Sequence, residues 1–239
     1  MIVSDTHKFI YVAIPKTGSR TIQETFRPYA TSFAVGNSPN NHNTIGRIIE
    51  LEKFNQDLSP IRSNDDCPYR LIANVRNPWE KMVSFIAFAR DYAPMFSAVA
   101  FEYFYLIKQN TPDIKSTLKL IFTSDNDYQA YWYKKHNIEK NVEYKMRSYF
   151  KNMVEANNEL ENYLNYEKYK DKTCIIKFEN LQEDFDTVCD KINIPQQQLP
   201  HHNKTKHKHY TEYYDEEIQE VISKKHIKDI EYFGYSFEE

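Results

Sequence analysis

Glycine is scarce in this chain, 4 residues in 239, where average usage is about 7%. Each glycine is therefore worth locating, because each marks a place where the backbone has a reason to turn. Cysteine is scarce as well. Cys67, Cys174 and Cys189 are odd in number and widely spaced, which excludes a disulfide framework or a CxxC metal or redox pair and points to a reducing compartment. No apolar run approaches the roughly 18 residues of a spanning helix. The N-terminal MIVSDTHKFIYVAIPKTG has no basic segment leading into an apolar one, so the expectation is a soluble, cytoplasmic protein with no membrane partner. An excess of either charge is also missing, since 31 basic and 34 acidic residues leave a net charge of −3. Without a global cationic field nucleic acid is not an expected partner, and any anion site must be local.

What is present is a globular composition, 41% hydrophobic, 15% aromatic and 27% charged, outside the range of disordered chains. A chain of this length buries about 70–75% of its unfolded surface and fits one α/β domain or two small ones. Three runs, KFIYVAI at 8–14, RLIANV at 70–75 and KTCIIKF at 172–178, are rich in β-branched and aromatic residues and read as strands. An amphipathic segment of helical spacing follows each. Ser19 is a good N-cap for RTIQETF, which sets Ile22 and Phe26 one turn apart; Asn77 and Pro78 suit the cap and first position of a helix carrying Trp79, Met82, Val83 and Ile86. LQEDFDTVCDKI follows Asn180 in the same way. This alternation predicts a central parallel sheet with helices on both faces. Residues 30–43 read as loop, TIGRIIELEKF as a helix, about 95–165 as a tyrosine-rich helical insertion, 195–209 as a polar loop, and Asp215 to Phe233 as one charged helix.

The loop Lys16-Thr17-Gly18-Ser19 carries the first chemical signal. A strand that feeds a short loop into a helix gathers backbone N–H groups beside the positive end of the helix dipole. Lys16 adds a movable charge, Gly18 a permissive backbone, and Thr17, Ser19 and Thr21 add hydroxyls, so a phosphate or sulfate group fits there. The plainer alternative is a strand-to-helix turn with a solvated lysine. GxxxxGK[ST] does not match, because Lys16 precedes Gly18 and a second glycine is missing, which weakens an ATP kinase. Glu179, at the end of the third strand, keeps that alternative open as a Mg²⁺ ligand. Arg76 ends the second strand, at the edge where open α/β sheets bind ligands, and Ser84 lies two turns into the next helix. The two suit a second anion, or else Arg76 pairs with an acid such as Glu80 and Ser84 is a surface residue.

Together, IPKTGSRT after the first strand and VRNPWEKMVS after the second resemble the two cofactor signatures of sulfotransferases that use 3′-phosphoadenosine-5′-phosphosulfate (PAPS). FENLQEDFDTVCDKI, NKTKHKHYTEYYDEE and KDIEYFGYSF resemble the ending of the carbohydrate sulfotransferase branch. The resemblance implies a P-loop-like three-layer α/β fold, one sulfotransferase domain over residues 1–239, and sulfuryl transfer from PAPS to a hydroxyl acceptor, with carbohydrate the expected class and adenosine 3′,5′-bisphosphate the product. It assigns Lys16, Thr17, Gly18, Ser19, Arg20 and Thr21 to the 5′-phosphosulfate and Arg76 and Ser84 to the 3′-phosphate. Lys81 stands where arginine is common, and Phe85-Ile86 replaces a small residue followed by an aromatic one. Residues 95–165 match nothing in that pattern and are where acceptor choice is expected, with Tyr131 and Trp132 able to stack on sugar faces.

In such a transfer Lys16 is suited to the negative charge that develops on the bridging oxygen of the leaving phosphate, and no metal is implied. His42 is the expected base, as neutral imidazole suits proton abstraction near pH 7; Glu50 and Glu52 are weaker candidates. HHNKTKHKH at 201–209 holds histidines without a carboxylate or cysteine, and its interleaved lysines repel a cation. It reads as a basic flap over an anionic cofactor through Asn203, Lys204 and Lys206, or as a solvated loop. A kinase and a noncatalytic nucleotide-binding protein of the same fold are the alternatives.

Overall fold

The three runs of β-branched and aromatic residues form three neighbouring strands of one sheet. The computed structural model describes residues 1–33, 69–92, 113–122, 134, 159–200 and 207–238. Its strands are β1 (Ile2–Ser4), β2 (Phe9–Val12), β3 (Ser32–Phe33), β4 (Arg70–Val75) and β5 (Thr173–Lys177), in the sheet order β3-β1-β2-β4-β5. β2, β4 and β5 are parallel, with Val12 opposite Ala73 and Val75 opposite Lys177. β1 pairs antiparallel with both β2 and β3, so the sheet is mixed, and the expected parallel pairing is that of β2, β4 and β5. Ser32 and Phe33 form a strand where the composition of 30–43 predicts a loop. The turn from β1 to β2 passes through Lys8 at φ 52, and β1 covers the flank of β2 that would otherwise be an open edge.

The helices are α1 (Ser19–Phe26), α2 (Pro78–Tyr92), α3 (Ile114–Phe122), α4 (Glu159–Leu164), α5 (Tyr166–Tyr169), α6 (Leu181–Lys191), α7 (Glu216–Lys225) and α8 (Ile227–Phe233). The described elements gather in two units, the sheet with α1 and α4–α6 in one, and α2, α3, α7 and α8 in the other. In the first, α1 and α6 bury their apolar stripes on the sheet. Phe26 lies 4.9 Å from Phe9, 5.5 Å from Tyr11 and 5.5 Å from Phe185 between ring centres. Ile22, Val188, Cys174 and Cys189 belong to the same buried cluster. Burying a side chain such as Ile22 or Val188 contributes about 1.5–3 kcal/mol.

In the second unit, Asn77 caps α2 as its sequence predicts, with Oδ1 accepting from the amides of Trp79 (3.1 Å) and Glu80 (3.2 Å). Trp79, Val83 and Ile86 are buried. The expected single helix from Asp215 to Phe233 is two. Asp215 caps α7, accepting from the Ile218 amide at 3.0 Å, and the helix breaks at His226, φ −111, ψ 25. His226 is buried with its Nδ1 3.5 Å from Asp229 Oδ2. Of residues 95–165, those of α3 and α4 are helical. No helix among the described residues is long and apolar enough to cross a membrane.

Candidate functional site

β2 is followed by buried Ala13 and Ile14, after which the chain turns into α1 at Ser19. Lys16 has φ 63 and Gly18 φ 77, two left-handed residues separated by one. For lysine this backbone costs on the order of 1–3 kcal/mol and persists only where the surroundings hold it. Three hydrogen bonds do so. Thr17 Oγ1 donates to the Ile14 carbonyl at 2.9 Å, Asn74 Nδ2 to the Thr17 carbonyl at 3.1 Å, and Arg76 Nη1 to the Lys16 carbonyl at 3.1 Å. Gly18 is the N-cap of α1, where the sequence predicts Ser19. Ser19 is the first helical residue, because the left-handed step at Gly18 ends the loop one residue earlier. No side chain caps α1, and its first turn holds no acid. Its N-terminal amides and dipole are thus available to an anion.

Two of the side chains beside this loop are cationic, Lys16 and Arg76. Arg76 is buried, its guanidinium 3.9 Å from the centre of the Phe178 ring, an arrangement that fixes the plane of the guanidinium fork. Burial first, and the Arg76 charge second, lower the Lys16 ammonium from 10.5 to about 8. Two cations at a helix N-terminus are a costly arrangement that an anion relieves. A phosphate or sulfate group fits a set made of the Lys16 ammonium, the Arg76 guanidinium and the N-terminal amides of α1. Phe178 also closes the loop from below. A Cβ on Gly18 would lie 3.0 Å from Phe178 Cδ2.

The other predicted residues are distributed as follows. Thr17, Ser19 and Thr21 are buried; the Thr17 hydroxyl is engaged within the loop, and that of Thr21 lies 3.3 Å from the Pro200 carbonyl. Arg20 is exposed and pairs with Glu24 at 2.9 Å. Ser84 is buried on α2. His42, Glu50, Glu52, Tyr131, Trp132, Asn203, Lys204 and Lys206 lie outside the described residues. Sequence reasoning missed Tyr11, Asn74 and Phe178. Asn74 left a signal, a lone amide in the apolar run RLIANV, while nothing distinguishes Tyr11 from the other tyrosines or marks Phe178 as a wall.

No curated protein and no solved structure gives a significant match to the chain. The sulfotransferase family does, over residues 1–236. That match takes in the strained loop with its lysine, the strand that ends at Arg76 and the closing helices alike, and a donor set built for a sulfate or phosphate group accords with it: the chain belongs to the sulfotransferase family.

Proposed function

We propose that this sulfotransferase takes its sulfuryl group from PAPS and delivers it to a hydroxyl acceptor of the carbohydrate class. The observation that carries the reading is the pairing of Lys16 with Arg76 beside the uncapped N-terminus of α1. PAPS asks for two anion-binding groups, one at each phosphorylated end. The amides from Thr17 to Thr21, with Lys16, are assigned the 5′-phosphosulfate. Arg76 and Ser84 are assigned the 3′-phosphate, and Asn203, Lys204 and Lys206 a covering loop.

PAPS supplies a sulfuryl group activated by its bond to phosphate, with adenosine 3′,5′-bisphosphate as the leaving molecule. An acceptor O–S bond forms as the S–O bond to the 5′-phosphate breaks. His42 takes the acceptor proton. Lys16 and the α1 amides meet the charge that grows on the bridging oxygen, so their interaction strengthens toward the transition state. A sulfuryl group carries less charge than a phosphoryl group, and a lysine with a helix N-terminus does here what Mg²⁺ does in kinases.

The test is transfer of label from [³⁵S]PAPS to a mixture of unsulfated oligosaccharides in the presence of EDTA. Labelled sugar is expected. Labelling of proteins or small phenols in place of sugars would move the acceptor class, and Mg²⁺-dependent phosphate transfer from ATP would replace the reading with the kinase.

A further inference from the structure

The loop is aimed by two buried residues that contact no solvent. Tyr11 on β2 and Asn74 on β4 are both fully buried, and Tyr11 Oη lies 2.9 Å from Asn74 Oδ1 and 3.4 Å from the Ser19 carbonyl oxygen. Chemistry fixes the direction of every bond. The Thr17 carbonyl only accepts, so the amide nitrogen of Asn74 must face it at 3.1 Å; the amide oxygen then faces Tyr11, whose hydroxyl donates. Burial pushes the Tyr11 phenol well above its ordinary 10, so the donor proton stays in place across the working pH range.

The consequence lies in the peptide units. In a trans peptide the C=O and the following N–H point in opposite directions, and the described chain has no cis bond. Drawing the Thr17 carbonyl toward Asn74 turns the Gly18 N–H away from it. Drawing the Lys16 carbonyl toward Arg76 does the same for the Thr17 N–H. The Gly18 amide is thereby directed by Asn74, a side chain outside the anion-binding set, and the Thr17 amide by Arg76.

We infer that Asn74 and Tyr11 are positioning residues for the anion loop, a strut from the sheet that sets the direction of the Gly18 amide toward the 5′-phosphate end of the nucleotide. This rests on the PAPS reading. Neither side chain touches the ligand; both act through the Thr17 peptide. A strut that orients donors contributes to the part of affinity owed to the 5′-phosphate and leaves the rest of the nucleotide untouched. A residue that merely stabilises the fold lowers the melting temperature and leaves ligand ranking unchanged.

The experiment is calorimetry of adenosine 3′,5′-bisphosphate against adenosine 3′-monophosphate on the full chain, with wild type, Tyr11→Phe and Asn74→Leu, each checked for folding by circular dichroism. Neither substitution changes the charge. The ratio of the two dissociation constants measures what the 5′-phosphate contributes. Wild type is expected to prefer the bisphosphate. The ratio should fall by about threefold or more in Tyr11→Phe and about tenfold in Asn74→Leu, as befits one lost oriented hydrogen bond and two. If wild type shows no preference, the loop is not the 5′-phosphate site and the PAPS reading fails with the inference. If wild type shows the preference and the folded variants keep it within about twofold, the strut alone is refuted. Should Asn74→Leu not fold, Tyr11→Phe decides by the same criterion.

Discussion

At the scale of single residues, Lys16 carries the most physics. Burial and Arg76 hold its ammonium near pH 8 instead of 10.5, so the folded chain binds that proton less tightly than the unfolded one. Below about pH 8 both states are protonated and the full cost of burying the charge is present; it is relieved as pH rises from about 8 to 10.5. The unliganded protein should therefore gain stability over that window relative to Lys16→Met, by roughly 2–4 kcal/mol, as read from urea melts at stepped pH. The sign reverses for ligand. A bound phosphate needs the proton on Lys16, so affinity for adenosine 3′,5′-bisphosphate should weaken above about pH 8 in wild type and be flat in Lys16→Met. In turnover, Lys16→Ala should lose about 10²–10³ in rate, a larger factor than it loses in binding; equal losses in both would make Lys16 a ground-state ligand only. His42→Ala should keep nucleotide affinity while turnover falls about 10²–10⁴, and unchanged turnover would pass the base to Glu50 or Glu52. The sequence made Lys16 and Gly18 conspicuous because their type and order are unusual. Tyr11 and Asn74 stayed hidden because their role depends on two strands becoming neighbours, which spacing along the chain does not encode.

At the scale of elements, the step from β2 into α1 depends on Gly18. Its φ of 77 and the 3.0 Å approach of Phe178 Cδ2 to a would-be Cβ make alanine there doubly unfavourable. Gly234 has φ 66 and nothing within 4 Å, which makes it an internal control for the backbone cost alone. Gly18→Ala should cost about 1–3 kcal/mol and weaken nucleotide binding, whereas Gly234→Ala should cost about 1 kcal/mol and leave binding unchanged. Equal costs in chemical melts would mean that Phe178 yields without strain. The same loop explains what sequence reading missed. Ser19 has the chemistry of a cap, but Gly18 reaches the left-handed region more cheaply and ends the loop first. β1 and β3, of three and two residues, are too short for period-two alternation to register. The break at His226 involves neither glycine nor proline, the residues that mark such breaks in a sequence, and the imidazole there is buried beside Asp229. By contrast β2, β4 and β5 were legible because continuous β-branched runs have few other uses.

At the scale of the whole molecule, the family match over residues 1–236 and a near-neutral net charge of −3 describe a protein whose attraction for anions is local. Its working field comes from Lys16, Arg76 and one helix terminus rather than from its surface at large. On the PAPS reading, such a site distinguishes nucleotides by where their phosphates lie. Calorimetry of adenosine 3′,5′-bisphosphate and ADP, both in EDTA, tests this most directly. The account predicts that the bisphosphate binds about tenfold or more tightly than ADP without any divalent metal, and that Arg76→Ala removes the preference, with about 2–4 kcal/mol lost for a charged hydrogen-bonded contact. ADP binding as tightly as the bisphosphate, or a requirement for Mg²⁺, would contradict it.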